Sequence, residues 1–239
     1  MGGESLRKLG VIGGMSWVST RTYFEEINQI VQQRVDRQSS APLLIENLDF
    51  AQIYRLMDDT HWAGAAQVLA DSARRLEQAG AGALLIAANS MHRVYDEVAS
   101  AVQIPILHIA DCVGRKMAED GVKTAALLGT RNVMTEGFYR RRLVAHGVDL
   151  PPPDMANLDL LDRIIYEELM VGRATRDAER ALKSIITVLE KEGAQAVVLA
   201  CTELDMVVDI DANILPIYGS AQIHARSGAE WILGTPGYD

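Results

Sequence analysis

Short apolar runs alternate along the chain with longer stretches whose apolar positions recur at helical spacing. Residues 9–12 are apolar and run into Gly13-Gly14, the pattern of a buried strand entering a turn. Ser19 and Thr20 are cap candidates for a following helix, on which Tyr23, Ile27, Ile30 and Val31 fall at helical spacing. Residues 43–48 read as a second strand. Residues 65–78 read as a helix with Val68, Leu69 and Leu76 on or near one face, ended by Gly80 and Gly82. Residues 83–88 and 104–109 read as a third and a fourth strand. Strands alternating with helices imply parallel pairing and a sheet covered on both faces.

The plan then begins again. Lys123-Thr-Ala-Ala-Leu-Leu-Gly-Thr130 repeats the strand-then-glycine outline of residues 8–14. Leu76-Glu-Gln-Ala-Gly-Ala-Gly-Ala-Leu-Leu-Ile-Ala-Ala-Asn-Ser90 aligns without a gap to Leu189-Glu-Lys-Glu-Gly-Ala-Gln-Ala-Val-Val-Leu-Ala-Cys-Thr-Glu203, which pairs Ala88 with Cys201. A helix and a proline-containing strand follow each segment, around Pro105 and Pro216. Any two helix–strand units share this outline. Identity at Leu, Glu, Gly and several Ala positions in one register makes duplication the better account. The expected fold is α/β, with two pseudo-symmetric domains, each a parallel sheet flanked by helices, and the active site in the cleft between them. The expected N-terminal domain is residues 1–116 plus a returning helix in 221–239; residues 117–220 form the second.

Composition narrows the function. Hydrophobic residues make up 49% and charged residues 23% of the 239, as in an ordinary globular protein. A net charge of −9 argues against nucleic-acid binding, which needs basic patches, but not against a small anion. No apolar run is long enough for a membrane span, and residues 1–8 are too polar for a signal peptide, so no membrane partner is expected. Two cysteines, Cys112 and Cys201, make a disulfide framework improbable and point to a reducing, cytoplasmic compartment. Neither CxxC nor HExxH occurs, and no metal site is expected.

In parallel α/β sheets ligands sit beyond the carboxyl ends of the strands. The expected tips are Gly13-Gly14-Met15-Ser16, Ala88-Asn89-Ser90, Gly129-Thr130 and Cys201-Thr202-Glu203. Small and hydroxyl residues of this kind suit a carboxylate. A phosphate-binding Gly-x-Gly-x-x-Gly or P-loop lysine is lacking, which disfavours a nucleotide.

Gly13-Gly14-Met15-Ser16-Trp17, Asn89-Ser90-Met91-His92, Leu128-Gly129-Thr130 and Ala200-Cys201-Thr202-Glu203, in this order and spacing, resemble the aspartate/glutamate racemase family over about the whole chain. The resemblance is closest to the bacterial aspartate/glutamate racemases with a Gly-Gly-Met-Ser-Trp start. It implies an isomerase without a cofactor, a homodimer, and an acidic amino acid or similar small carboxylate as substrate. It also implies Met15, Gln52, Asn89, Ser90, Thr130 and Thr202 as substrate-binding positions. Racemisation removes a proton from one face of the α-carbon and delivers one to the other, so a duplicated fold supplies two equivalent base positions. The family usually has cysteine at both. A thiolate serves there if helix N-termini and polar neighbours lower its pKa, which would also make Cys201 faster to alkylate than Cys112.

The chain departs from the family at the first base position, where Ala88 carries no proton, whether as the natural residue or as a substitution. Catalysis then rests on Cys201, with water or a neighbour such as Ser90 serving the other face. Arylmalonate decarboxylase, a relative, also keeps only the second cysteine, so a one-base decarboxylase or other isomerase of the superfamily is an alternative. A carboxylate-binding protein without turnover is another. Cys201 is either the base or a small core residue. His92 either tunes the site or makes a helix-start hydrogen bond. Glu203 either orients the thiol or caps a helix. Thr130 binds substrate or closes a tight turn, and Asp49 and Gln52 face ligand unless Asp49 only caps a helix. Some aspartate-specific relatives carry a lysine in the stretch where this chain has Met170 and Val171.

Overall fold

The computed structural model describes residues 6–57, 62–153 and 155–238. The chain divides into two compact units, Met1–His108 with His224–Asp239, and Ile109–Ile223. Both are parallel α/β structures with helices against their sheets.

The first unit holds β1 (Leu9–Gly13), α1 (Trp17–Arg34), β2 (Leu43–Asn47), α2 (Phe50–Tyr54), α3 (Ala63–Gln78), β3 (Ala83–Ile86), α4 (Tyr95–Ala99) and β4 (Ile106–Leu107). Its four strands run in the order β2-β1-β3-β4, all parallel. β1 and β3 are buried along their whole length, as central strands covered on both faces must be. α3 buries Ala65, Leu69, Ala73 and Leu76 in one cluster with Ile12 of β1 and Leu84 and Ile86 of β3, and each buried leucine contributes about 1.5–3 kcal/mol. The fourth strand is shorter than the expected residues 104–109. Pro105 has no N–H to give the ladder, and α5 begins at Ile109.

The second unit holds α5 (Ile109–Glu119), β5 (Ala126–Gly129), α6 (Arg131–Thr135), α7 (Gly137–Ala145), α8 (Leu158–Arg163), α9 (Arg176–Lys191), β6 (Val197–Ala200) and β7 (Ile217–Gly219). The strand order is β5-β6-β7, again parallel. Alternation along β6 splits its side chains between two cores. Val197 and Leu199 face one, with α8 and α9; Val198 and Ala200 face the other, with α5 and α7. Helix α5, placed with the first domain in the sequence reading, packs in the second unit because Ile109, Val113 and Met117 bury against Tyr139 and Leu143. Helix α10 (Ser220–Ile232) starts in the second unit and continues in the first.

The aligned segments share backbone hydrogen bonds at matching positions. Ala81 N donates to Leu76 O at 3.0 Å, and Ala194 N to Leu189 O at 3.0 Å. Gly80 and Gly193 hold these helix ends at φ +92° and +94°, a left-handed conformation that glycine adopts at least cost. Leu84 N then reaches Pro105 O at 2.9 Å, and Val197 N reaches Pro216 O at 2.9 Å. Among the described residues, no helix is long and apolar enough to cross a membrane.

Candidate active site

Cys201 follows the last residue of β6 and is 5% exposed. Its Sγ–H donates to Glu203 Oε2 at 3.2 Å, and Thr202 Oγ1 donates to the same oxygen at 2.8 Å. Leu204 N closes the turn onto Cys201 O at 3.1 Å and opens a short 3-10 helix, Leu204–Met206. Burial pushes the Cys201 thiol well above its ordinary pKa. The negative charges of Glu203 and Asp205 push it further, against a smaller opposing effect of the Glu203 backbone N–H. This overturns the expectation of a lowered thiol pKa. The polar neighbours are carboxylates, and they stabilise the proton on sulfur instead of removing it. Cys201 rests as a thiol in contact with a carboxylate.

β5 ends beside β6, with Gly129 paired to Ala200. A Cβ on Gly129 would lie 2.7 Å from Ala200 O, so glycine is what allows this close approach. Thr130 comes next, at the N-cap position of α6 but without a capping side-chain bond. It is 6% exposed, and its Oγ1 is buried with no hydrogen-bond partner among the described residues. A buried hydroxyl left unsatisfied costs stability unless a ligand or water meets it. Thr130, Cys201, Thr202 and Glu203 are therefore brought together at adjacent strand ends of the second unit.

The corresponding tip in the first unit has different chemistry. Ala88 lies past the end of β3, 3% exposed, with its methyl in the unit's apolar core. Asn89 is buried, Ser90 is partly buried, and Ser90–Val94 forms a 3-10 helix. His92 Nδ1 lies 2.9 Å from Ala88 O, and since a carbonyl only accepts, that nitrogen bears the hydrogen. This is the helix-start hydrogen bond weighed as one reading of His92. The ring packs edge-on against His108 at 4.4 Å between centroids and stacks with Tyr95 at 6.3 Å. Behind it, His224 is held between the Tyr23 hydroxyl at 2.8 Å and Leu107 O at 2.9 Å. Burial pushes His224 down to about 4, so it is neutral.

Next to β3, the β1 tip turns at Gly14, φ +88°, where any Cβ would strike the Leu48 backbone at 2.0 Å. Gly14 N donates to Thr20 Oγ1 at 2.7 Å, Thr20 Oγ1 donates to Ser16 O at 3.0 Å, and Ser16 caps α1. Met15 is buried at this tip, in the same apolar cluster as Ala88. Gln52 follows β2, the other neighbour of β1. It is exposed on α2, and its amide donates to Asp49, which caps that helix through Ala51 N at 3.0 Å. Cys112 is buried on α5, outside the tips.

Sequence reasoning missed Asp205, His108, His224 and Tyr23. Asp205 was visible in the Glu-Leu-Asp run after Cys201. His224 and Tyr23 are too far apart in sequence for any local pattern to join them. Among the described residues, no group of three or more His, Cys, Asp or Glu side chains could hold a metal ion.

Comparison with known proteins bears on this arrangement. The sequence profile described as "Asp/Glu/Hydantoin racemase" matches residues 12–228. The broad specificity amino-acid racemase RacX of Bacillus subtilis is 23% identical over 163 residues, 67% of this chain and 69% of that protein. A solved aspartate racemase homologue from Pyrococcus horikoshii is 31% identical, with a TM-score of 0.82 over 95% of this chain and 100% of its own. The solved aspartate racemase of Picrophilus torridus has the same fold, with a TM-score of 0.73 at 20% identity over 95% of this chain and 94% of its own. With β2 to β7, the Gly13-Gly14 turn and the Cys201 tip inside the matched span, this chain belongs to the Asp/Glu/hydantoin racemase family.

Proposed function

We propose that the protein moves a proton at the α-carbon of an amino acid without a cofactor. The observation that carries this is the buried Cys201 thiol donating to Glu203 at the end of β6. Cys201 is the acid–base group on one face of the carbon. Glu203 takes or returns the thiol proton, so that sulfur can act as a base despite its raised pKa. Thr130 Oγ1 and Thr202, at the strand ends of the second unit with Cys201, hold the substrate carboxylate, and the Thr130 hydroxyl is matched to one of its oxygens. Donors on that carboxylate stabilise the carbanion that forms when the α-proton leaves. Broad specificity, the printed property of the Bacillus subtilis relative, makes the side chain a separate question from the reaction.

One observation favours a second reading. Ala88, which the internal repeat pairs with Cys201, carries a buried methyl and no proton to give. A protein working with one base exchanges or removes a group at the α-carbon on one face and inverts slowly, as a decarboxylase of this superfamily would. The test is incubation of each enantiomer in deuterated water. We expect deuterium at Cα with the native chain and a loss of about 10²- to 10⁴-fold with Cys201→Ala, the range for one acid–base group. Exchange that survives Cys201→Ala contradicts the assignment, and label with retained configuration identifies the one-base reading.

A further inference from the structure

The two edges of the first unit's sheet differ. β4 is two residues long and follows Pro105, which blunts that edge. β2 is five residues long, and among the described residues no strand pairs with its outer side. Pro42 O accepts from Leu9 N at 3.0 Å, and Leu48 N donates to Gly13 O at 3.0 Å. Alternate residues of a parallel strand face the same neighbour, so Leu44 and Glu46 also serve β1. Leu43, Ile45 and Asn47 turn their N–H and C=O groups outward. The side chains alternate too. Glu46 binds Ser72 and Arg75 of α3 at 2.8 and 3.0 Å, so Leu43 and Ile45 lie on the opposite face. β2 and β3 flank β1, so right-handed crossovers put α1 on that face, across the sheet from α3. On α1, Trp17, Arg21, Phe24 and Asn28 share one stripe at helical spacing. Asn28 Oδ1 accepts from Ala41 N at 2.9 Å, which sets this stripe alongside β2. Trp17 is 56% and Phe24 52% exposed, and Leu43, Leu44 and Ile45 are only half-buried. A long, apolar, unblunted edge beside two open aromatic rings is an interface, not a finished surface.

We propose that a second copy of this chain pairs antiparallel with β2 about a two-fold axis at Ile45, joining two four-stranded sheets into one. The edge itself selects this occupant. Self-pairing is closed: it uses the edge of both copies and leaves none to recruit further chains. Ile45 then faces its own copy, Leu43 faces Asn47 and Leu44 faces Glu46, so no like charges are opposed. An axis normal to the sheet keeps both α1 helices on one face and antiparallel. The stripe carries Arg21 and Glu25 one turn apart, and an antiparallel copy sets each against the opposite charge. Trp17 and Phe24 are covered in the process. The sequence resemblance implies a homodimer without a face; the β2 edge and the α1 stripe supply one.

The experiment is sedimentation velocity of the full chain across a dilution series, with circular dichroism to confirm folding. The native chain should be a dimer. Ile45→Lys puts an ammonium against its own copy at the axis, and Trp17→Glu with Phe24→Glu charges the stripe. Each change should weaken dimerisation about tenfold or more. Val188→Glu, at an exposed apolar position on α9, is the control and should leave the dimer intact. If Ile45→Lys fails to fold, the α1 double change decides alone, because both its positions are open to solvent. A native chain that stays monomeric at every concentration overturns the proposal, whether the edge is empty or serves another protein. So does a dimer that the folded edge and stripe variants leave intact, or one that Val188→Glu dissociates in their place.

Discussion

The ends of β3 and β6 begin as the same structure and finish as different chemistry. Each follows a helix closed by a left-handed glycine, a four-residue buried strand and a bond onto the proline of the next strand, and each turns into a 3-10 helix. At the β6 tip the first residue is a thiol in contact with a carboxylate. At the β3 tip it is a methyl group, with an imidazole bonded to the backbone behind it. The backbone plan is thus tolerant of what the tip carries. It fixes where a reactive group would stand and leaves its identity to one residue. Ala88 packs in the apolar core at no polar cost, so alanine at this tip does not disturb the fold.

The sharpest way to break this comparison is to make the two tips alike by subtraction. Cys201→Ala leaves alanine at both, and proton exchange should fall by the 10²- to 10⁴-fold given above, while circular dichroism and thermal midpoint change little.

The second difference is in pH response, and the tips should fail at opposite ends of the scale. His224 sits at about 4 in the folded protein against 6.5 for an ordinary histidine. A lowered folded pKa means the unfolded chain binds the proton more readily. Stability from keeping this ring neutral is present above pH 6.5 and is lost as pH falls toward 4, by about 3 kcal/mol in all. Urea midpoints between pH 7 and 4 should show the loss, and His224→Gln should make that slope shallower. An unchanged slope in the variant would remove His224 as its cause. For Cys201 the sign reverses. Its folded pKa is raised, so the folded state keeps the proton, and that contribution is lost only as pH rises past the ordinary thiol range.

A smaller effect separates the two cysteines. Glu203 is the second cause of the raised Cys201 pKa, after burial. Glu203→Gln should lower that pKa and speed alkylation of Cys201 by about three- to tenfold, because the thiolate is the species that reacts. Cys112, buried on α5, serves as the internal control. Peptide mapping after brief iodoacetamide treatment reads both. Equal rates in the native and Glu203→Gln proteins would contradict a carboxylate-held thiol.

Much of this comparison was legible in the sequence. The α/β class followed from buried runs alternating with helical spacing, and the glycine-then-strand repeat paired Ala88 with Cys201 because local signals fix helix ends and buried strands. Asp49 was recognisable as a helix cap for the same reason. Electrostatics was not legible. The sequence places Glu203 two residues from Cys201, but only the turn that brings Oε2 to 3.2 Å from Sγ decides that the acid raises the thiol's pKa. Nor could a pattern reveal that His224, arriving on α10, would complete a buried ring cluster with Tyr23, His92 and His108. The shortened β4 was missed because apolarity persists through His108 and Ile109 after strand pairing has ended.

The central claim is that position 88 alone separates this tip from a second base. Its most direct test is the rate of inversion of a single enantiomer by Ala88→Cys and Ala88→Thr, followed by chiral chromatography beside the native chain. A restored acid–base group acts mainly in the transition state, so kcat should rise by about 10²-fold or more with KM changed little. The gain should vanish when Cys201→Ala is added, since both faces of the carbon must be served. Variants that fold and bind the amino acid, yet invert it no faster than the native chain, would contradict the account.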